Sequence, residues 1–295
     1  MKKFASLLII LAGAVWGTMG IFVNEMSKIG FSSLQISSVR VTVAAVAMLV
    51  LLAINDKNKL KIHIRDLYLF IILGVGCILG MSILYFYTIQ HTSLSVAAIL
   101  LYTSPIWVII ISAIFLHEKI TWQKVLAVIL AFWGCAMVSG LGGADAISPF
   151  FLLTGVGSGL AYGLYSIFGT VAMRKYHPYT VTAYSFVFAA IASCLVASPL
   201  KIAETAYSCP EKGIMMFLMI ATGIVTAFTP YILYTCGLKY TSAGKAAIMA
   251  CAEPLVATVL GFFIYGQNAS LFGIILIIFA ILIVNNFGIS NNSKT

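Results

Sequence analysis

Charged residues are scarce in this chain. Only 8% of its 295 residues are charged, whereas 62% are hydrophobic, and a soluble domain usually carries about 25% charged residues. So few charges cannot cover a surface that faces water. Backbone polar groups inside a bilayer need internal partners, which helices provide. The composition therefore predicts an all-α integral membrane protein.

Enzyme and metal motifs are missing as well. The chain has no P-loop, no G-x-S-G protease motif and no paired aspartates for magnesium. Five of the six cysteines lie in apolar runs, and no CxxC or Cys/His ligand spacing appears. We therefore predict no catalytic residue, no metal, no cofactor and no enzyme activity.

Apolar runs of bilayer-crossing length follow one another along the chain. A transmembrane helix needs about 20 predominantly apolar residues. The sequence predicts ten such spans, joined by short connections: 5–24, 34–54, 67–89, 95–116, 122–140, 150–172, 179–198, 213–236, 242–264 and 270–288.

The two halves of the chain repeat each other. Thr92–Glu118 aligns with Thr241–Gln267 without a gap at a spacing of 149, so Pro105 falls on Pro254. A proline frees a backbone carbonyl and kinks its helix, and in lipid that carbonyl needs neighbouring helices or water. Two interrupted helices at matching places indicate the binding site of a transporter.

Glycines extend the repeat to the other spans. Gly13 and Gly17 form a GxxxG motif that matches Gly159 and Gly163, and such small residues allow helices to approach closely. The sequence thus predicts two repeats of five spans, at 5–140 and 150–288, followed by a cytoplasmic tail at 289–295. Because five is odd, the second repeat begins on the opposite side of the membrane. The ten helices are then two inverted five-helix repeats.

The distribution of basic residues sets the orientation. Cytoplasmic loops carry an excess of Lys and Arg. The same bias explains the net charge of +9, so we predict no nucleic-acid partner. With a cytoplasmic N-terminus, three basic residues lie outside (Lys28, Lys201 and Lys212), Arg40 lies within a span, and thirteen are cytoplasmic: Lys2, Lys3, Lys57, Lys59, Lys61, Arg65, Lys119, Lys124, Arg174, Lys175, Lys239, Lys245 and Lys294.

Glu253 is the one carboxylate near the middle of a span, just before Pro254. A charge at that depth costs roughly 3 kcal/mol, so such residues usually face a cavity. Two interpretations stay open. Glu253 is a proton or substrate-amine site that couples transport, or it is a structural acid that hydrogen-bonds backbone freed by the proline. Its repeat partner is Ser104, so an acidic function belongs to one half only.

Aromatic residues within the spans are candidates for a substrate cavity. Trp16, Tyr85 and Tyr102 lie too deep for the interfacial belts that aromatics often form in membrane proteins. As a set with Trp107, Tyr162, Tyr165, Tyr231 and Tyr234, they are predicted to line the cavity and to stack on an amphipathic metabolite. Helix packing is the alternative role of each residue taken singly.

Arg40 is the basic residue that stands inside a span. We expect it to extend towards the outer interface or to pair with Glu25, which closes the first span on the same side. The alternative is a site for an anionic group of the substrate. Lys245 begins the ninth span and is likewise expected to extend to the interface, with a role at a cytoplasmic gate as the alternative.

These motifs together resemble the drug/metabolite transporter superfamily, in its EamA-type branch. The resemblance covers about 5–288 and rests on Trp16-Gly17, Thr103-Ser104-Pro105, His117-Glu118-Lys119 and Glu253-Pro254. It implies ten helices, a central cavity between the repeats, and export of amino acids or other small metabolites. The repeat helix of this family commonly ends in Gly-Glu; here the second copy is Gly266-Gln267 and lacks the acid.

The function predicted from these features is secondary active transport of a small organic solute across the cell membrane by alternating access. A carrier of phosphorylated metabolites or nucleotide sugars is an alternative, although phosphate recognition calls for Lys or Arg in the cavity. A channel and a membrane-embedded enzyme are further alternatives. The expected partners are a small-molecule substrate and the lipid bilayer, and the oligomeric state is left open.

The orientation is testable with fused reporters. A reporter that is active only in the periplasm should be silent after Asn291 and active at Ala144, because the basic residues keep their loops in the cytoplasm. Measuring reporter activity in intact cells checks both fusions. The opposite pattern would contradict the span count and the orientation together.

Overall fold

The structure is a computed structural model that describes residues 4–140, 148–268 and 270–290, with side chains as far as residue 286. The two fusion positions, Ala144 and Asn291, and most of the predicted tail at 289–295 lie outside the described residues. The described residues form helices and no strands.

Nine helices in the described part of the chain are long and apolar enough to cross a bilayer, and one further apolar helix follows them. Each predicted span corresponds to one of these ten helices, with ends that differ by a few residues. The bounds are α1 Ala5–Lys28, α2 Ser33–Asn55, α3 Ile64–His91, α4 Leu94–Phe115, α5 Trp122–Ser139, α6 Pro149–Ala172, α7 Pro178–Ala197, α8 Lys212–Leu238, α9 Ala243–Tyr265 and α10 Leu271–Ser290.

Helices α4 and α9 are each interrupted just before their proline. In α4 one half ends at Leu101 and the next begins at Ser104, and in α9 the halves meet at Cys251. Pro105 and Pro254 lie in the first turn of the second halves, where a missing N–H costs little. The two breaks are at matching positions of the repeat.

The break in α4 is covered by a glycine of α6. Pro105 has no N–H to donate to the carbonyl of Leu101. A methyl group added to Gly159 would lie 2.9 Å from that oxygen and 2.7 Å from the oxygen of Leu100. Only a glycine therefore permits α6 to approach the freed carbonyl of Leu101 so closely.

The break in α9 is covered in the same way by α1. Pro254 leaves the carbonyl of Ala250 without its usual donor, and a methyl group on Gly13 would lie 2.9 Å from that oxygen. One turn later, a methyl group on Gly17 would lie 2.7 Å from the oxygen of Glu253. The GxxxG motif of each half thus packs on the broken helix of the other half.

The remaining helix contacts follow the same exchange. Helix α1 packs on α8 and α9, and its counterpart α6 packs on α3 and α4. Helix α2 packs on α8, and α7 packs on α3. The pairs α2–α7, α4–α9 and α5–α10 each join a helix to its own counterpart. Replacing each helix by its counterpart in the other repeat, α1 by α6 and so on, therefore gives the same set of main contacts.

Wider helical turns occupy matching places in α3 and α8. Ile72–Leu79 and Ile224–Phe228 are π-helical. Gly74 lies within the first of these segments, and Gly223, at a spacing of 149, immediately precedes the second. A methyl group on Gly74 would meet backbone of α7, and one on Gly223 would lie 3.3 Å from the carbonyl oxygen of Arg40 in α2. Turns of this kind are frequent at functional sites.

The glycine contacts predict which substitutions disturb the bundle. Gly17→Leu and Gly163→Leu should lower the melting temperature of the purified protein, because a side chain at either position meets backbone of α9 or α4. Overpacking of this kind costs typically about 1–3 kcal/mol.

The matched control is Gly20→Leu, because a side chain on this α1 glycine meets nothing within 4 Å. This variant should keep or slightly raise the melting temperature. Melting curves in detergent check all three variants. Equal melting temperatures for Gly17→Leu and Gly20→Leu would show that the α1–α9 contact is not close in the folded protein.

Candidate functional site

Aromatic rings meet at the centre of the bundle, next to the two breaks. The ring centroid of Trp16 lies 5.1 Å from that of Tyr231, 5.4 Å from that of Tyr234 and 6.2 Å from that of Tyr162. The Tyr231 and Tyr162 rings meet Trp16 edge-on, an arrangement that aromatic pairs favour. We refer to Trp16, Tyr162, Tyr231 and Tyr234 as the aromatic cluster.

Two hydroxyl groups of this cluster have side-chain hydrogen-bond partners. Tyr162 donates to Oε2 of Glu253 at 3.0 Å. The hydroxyl groups of Tyr234 and Ser166 are 2.7 Å apart. These bonds orient the rings, because the polar end of a buried tyrosine is held by a partner.

A small cavity lies inside the cluster. Its volume is about 20 Å³, which is enough for about one water molecule. The rings fill most of the centre in this conformation. The lining residues come from α1, α4, α6, α8 and α9: Trp16, Ser104, Tyr162, Tyr165, Ser166, Tyr231, Tyr234, Ala247 and Ala250.

Glu253 is the second residue of the second half of α9, so it occupies the first turn after the break. The N-terminal end of a helix favours a negative charge, and the hydroxyl of Tyr162 adds a donor. Among the described residues, the bond from Tyr162 is the one hydrogen bond that the Glu253 side chain makes. Tyr85 and Tyr102 lie within electrostatic range of the carboxyl group.

The structure brings together some of the predicted site residues. Trp16, Tyr162 and Tyr234 line the cavity, and Glu253 is bonded to one of them. Tyr85 and Tyr102 are half-buried and do not line the cavity in this conformation.

Ser166 lines the cavity and was not predicted, although its place in the sequence offers a signal. Ser166 lies four residues after Tyr162 and therefore on the same face of α6. Ser104 lines the cavity as the repeat counterpart of Glu253. The described residues contain no group of three or more metal-binding side chains.

The expectation for Arg40 was wrong. Glu25 forms its ion pair with Lys28, at 2.7 Å and one helical turn along α1. Arg40 does not extend to the interface either, since only 5% of it is exposed. Its Nη1 contacts the sulfur of Met19 at 2.7 Å, and its Nε has no partner. Residues 35–41 in the outer half of α2 are all buried, and the polar residues Gln35, Ser37 and Ser38 among them favour contact with protein over contact with lipid.

Glu118 ties the end of α4 to the beginning of α9. Its Oε1 accepts from the N–H of Ala243 at 2.6 Å, and its Oε2 accepts from Nζ of Lys124 at 3.0 Å. A carboxylate at a helix N-terminus satisfies donors that have no partner within the helix. The equivalent residue in the second half, Gln267, has no charge and lies beside Gly261 of its own helix. The tie is therefore ionic at one end of the bundle only.

Two broken helices, crossed by glycine motifs around a buried polar centre, define a membrane transporter with a repeated architecture. The profile of the EamA-like transporter family matches residues 3–140 and again 149–286. The chain therefore belongs to this family, with one EamA unit in each half.

Similar proteins are also described as transporters. An uncharacterized transporter of Archaeoglobus fulgidus is 26% identical over 274 residues, which cover 91% of this chain and 90% of that protein. The uncharacterized transporter YwfM of Bacillus subtilis is 23% identical, with coverage of 95% and 93%. A crystal structure at 14% identity superimposes with a TM-score of 0.81 and covers 100% of both chains. This last likeness concerns the fold.

Proposed function

We propose that the protein is a secondary active transporter that moves a small organic solute across the cell membrane by alternating access. The observation that carries this proposal is the pair of breaks in α4 and α9, each covered by the GxxxG motif of the other half. Broken helices at matching positions provide polar backbone at mid-membrane, where secondary transporters bind their solutes.

The proposed topology has ten transmembrane helices, with α10 as the tenth. The repeats are 5–140 and 150–288, inverted with respect to each other, and both termini are cytoplasmic. The exchange of contacts between α1 and α6, and between the other helix pairs, supports two repeats related by a pseudo-twofold axis. With five helices in each repeat, that axis lies in the membrane plane.

The solute is proposed to bind at the aromatic cluster. The cavity of about 20 Å³ is too small for an organic solute, so the cluster must open for a solute to bind among its rings. The repeats would rock about the breaks to enlarge it. The tie between Glu118 and α9 closes the cytoplasmic end, and family membership favours amino acids or other small metabolites as the exported solutes.

Glu253 is proposed to couple transport to protons. Its carboxyl group lies at a break, beside the cavity, and its bond to Tyr162 is one that a solute amine could replace. The titratable and charged groups that face it from the surrounding helices are Arg40, Tyr85, Tyr102, Cys135, Tyr162 and Tyr231. Arg40 is the one cation in this set.

A carrier of phosphorylated solutes is the second candidate. Recognition of a doubly charged phosphate favours several cationic side chains. Arg40 alone lies within range of the described centre, and Lys245 lies near the cytoplasmic beginning of α9. One cation is a better match to a singly charged solute, so this candidate ranks lower.

The coupling role of Glu253 is tested by Glu253→Gln in liposomes. The amide keeps the size and hydrogen-bonding capacity of the side chain but does not titrate. We expect the variant to exchange solute while its net transport loses the pH dependence of the wild type, because one proton step is missing. Measuring uptake across a range of pH values checks this.

Glu25→Gln is the matched control, because it also removes one carboxylate, at an exposed ion pair. It should keep the wild-type pH profile. A wild-type profile in Glu253→Gln would leave Glu253 as a structural acid, and Glu253→Leu should then mainly lower stability. Failure of the wild type to exchange any solute would contradict the transporter itself.

A further inference from the structure

Arg40 is a buried cation that forms no ion pair with any described residue. It is 5% exposed, and its Nε makes no hydrogen bond. Its Nη1 contacts the thioether of Met19, which is a weak and uncharged acceptor. A guanidinium stays protonated in proteins and presents five N–H donors. Most of its hydrogen-bonding capacity is therefore unused.

This arrangement is costly for a side chain that serves only the fold. An uncompensated charge in a low-dielectric interior costs several kcal/mol, and burial is tolerated when the charge is paired and hydrogen-bonded. In the described part of the chain, neither Arg40 nor Glu253 belongs to an ion pair.

The position of Arg40 connects it to the central site. Helix α1 is interrupted at Gly17 and Thr18, and Met19, which Arg40 contacts, begins its second part, three residues after Trp16. The carbonyl oxygen of Arg40 lies 3.3 Å from a methyl group placed on Gly223, so α2 packs closely on α8, the helix that carries Tyr231. Arg40 thus borders the aromatic cluster on the side nearer to Lys28, whereas the Glu118 tie closes the opposite end.

We propose that Arg40 binds a carboxylate group of the transported solute. A carboxylate accepts two parallel hydrogen bonds from one guanidinium, and its single negative charge would offset the buried charge of Arg40. The proposal rests on the transport function above and adds the chemical class of the solute. Glu253 remains free to exchange protons, because the solute anion and not Glu253 balances the charge of Arg40.

A test without any ligand comes first. Arg40→Met has a similar length, removes the buried charge and allows apolar packing beside Met19. We expect this variant to melt at a higher temperature than the wild type, because an unpaired buried charge is replaced by an apolar group. Lys28→Met removes one exposed positive charge and should leave the melting temperature unchanged. A lower melting temperature for Arg40→Met would overturn the proposal, since Arg40 would then be a satisfied structural residue.

The ligand test uses a panel of N-acetyl-amino acids and their primary amides. These pairs differ in the carboxylate and carry no amine for Glu253. At least one acid should raise the melting temperature of the wild type while its amide does not. Binding of that acid should be roughly tenfold or more weaker in Arg40→Lys and absent in Arg40→Met. Lys28→Met should respond as the wild type does.

The outcomes separate this inference from the transport function. Equal stabilisation by acids and amides, or no stabilisation by any acid, would overturn the role of Arg40. The same result would leave solute exchange in liposomes untouched. If the wild-type protein exchanged no solute in liposomes, that result would instead contradict the proposed function.

Discussion

The bundle depends on how two backbone carbonyls are covered where prolines interrupt helices. Pro105 and Pro254 remove a donor at mid-membrane, where no bulk water is available to replace it. Gly159 and Gly13 lie against the freed carbonyls at distances that no other residue type would permit. Since each glycine belongs to the other half of the chain, neither half can complete its broken helix alone. The repeats are thereby held together at the centre, and a solute site surrounded by both halves follows from the same contacts.

The two ends of the bundle are less alike than its centre. Glu118 caps α9 and pairs with Lys124, whereas Gln267 offers no charge at the equivalent place. Loss of a helix cap costs typically about 1 kcal/mol, which changes a two-state ratio about fivefold. The charged end should therefore stay closed more of the time than the uncharged end. Arg40 and Glu253 add a second asymmetry, because their repeat counterparts do not carry these charges.

Much of this arrangement can be predicted from the sequence. The spacing of 149 identifies the broken helices, and the GxxxG motifs identify the faces that approach them. Depth within the spans selects Trp16 as a candidate cavity residue, but the same criterion selects Tyr85 and Tyr102, which do not line the cavity. The sequence does not predict that each GxxxG motif packs on the broken helix of the other half, because a motif within one helix does not identify the helix it contacts. The expectation for Arg40 was wrong although Gln35, Ser37 and Ser38 before it are polar, which favours contact with protein. The sequence does not show which helices bury this segment, and in the structure these are α1, α7 and α8.

Alternating access is tested most directly by distances at both ends of the same molecule. Spin labels at Lys119 and Tyr240 span the Glu118 end, and labels at His91 and Asn268 occupy the repeat-equivalent positions at the other end; all four residues are exposed. Glu118→Gln weakens the cap on α9. Double electron–electron resonance in lipid should then show a longer Lys119–Tyr240 distance and a shorter His91–Asn268 distance. Lengthening at the first pair with no change at the second would mean that the helix end frays locally, and it would contradict rocking of the two repeats about their central breaks.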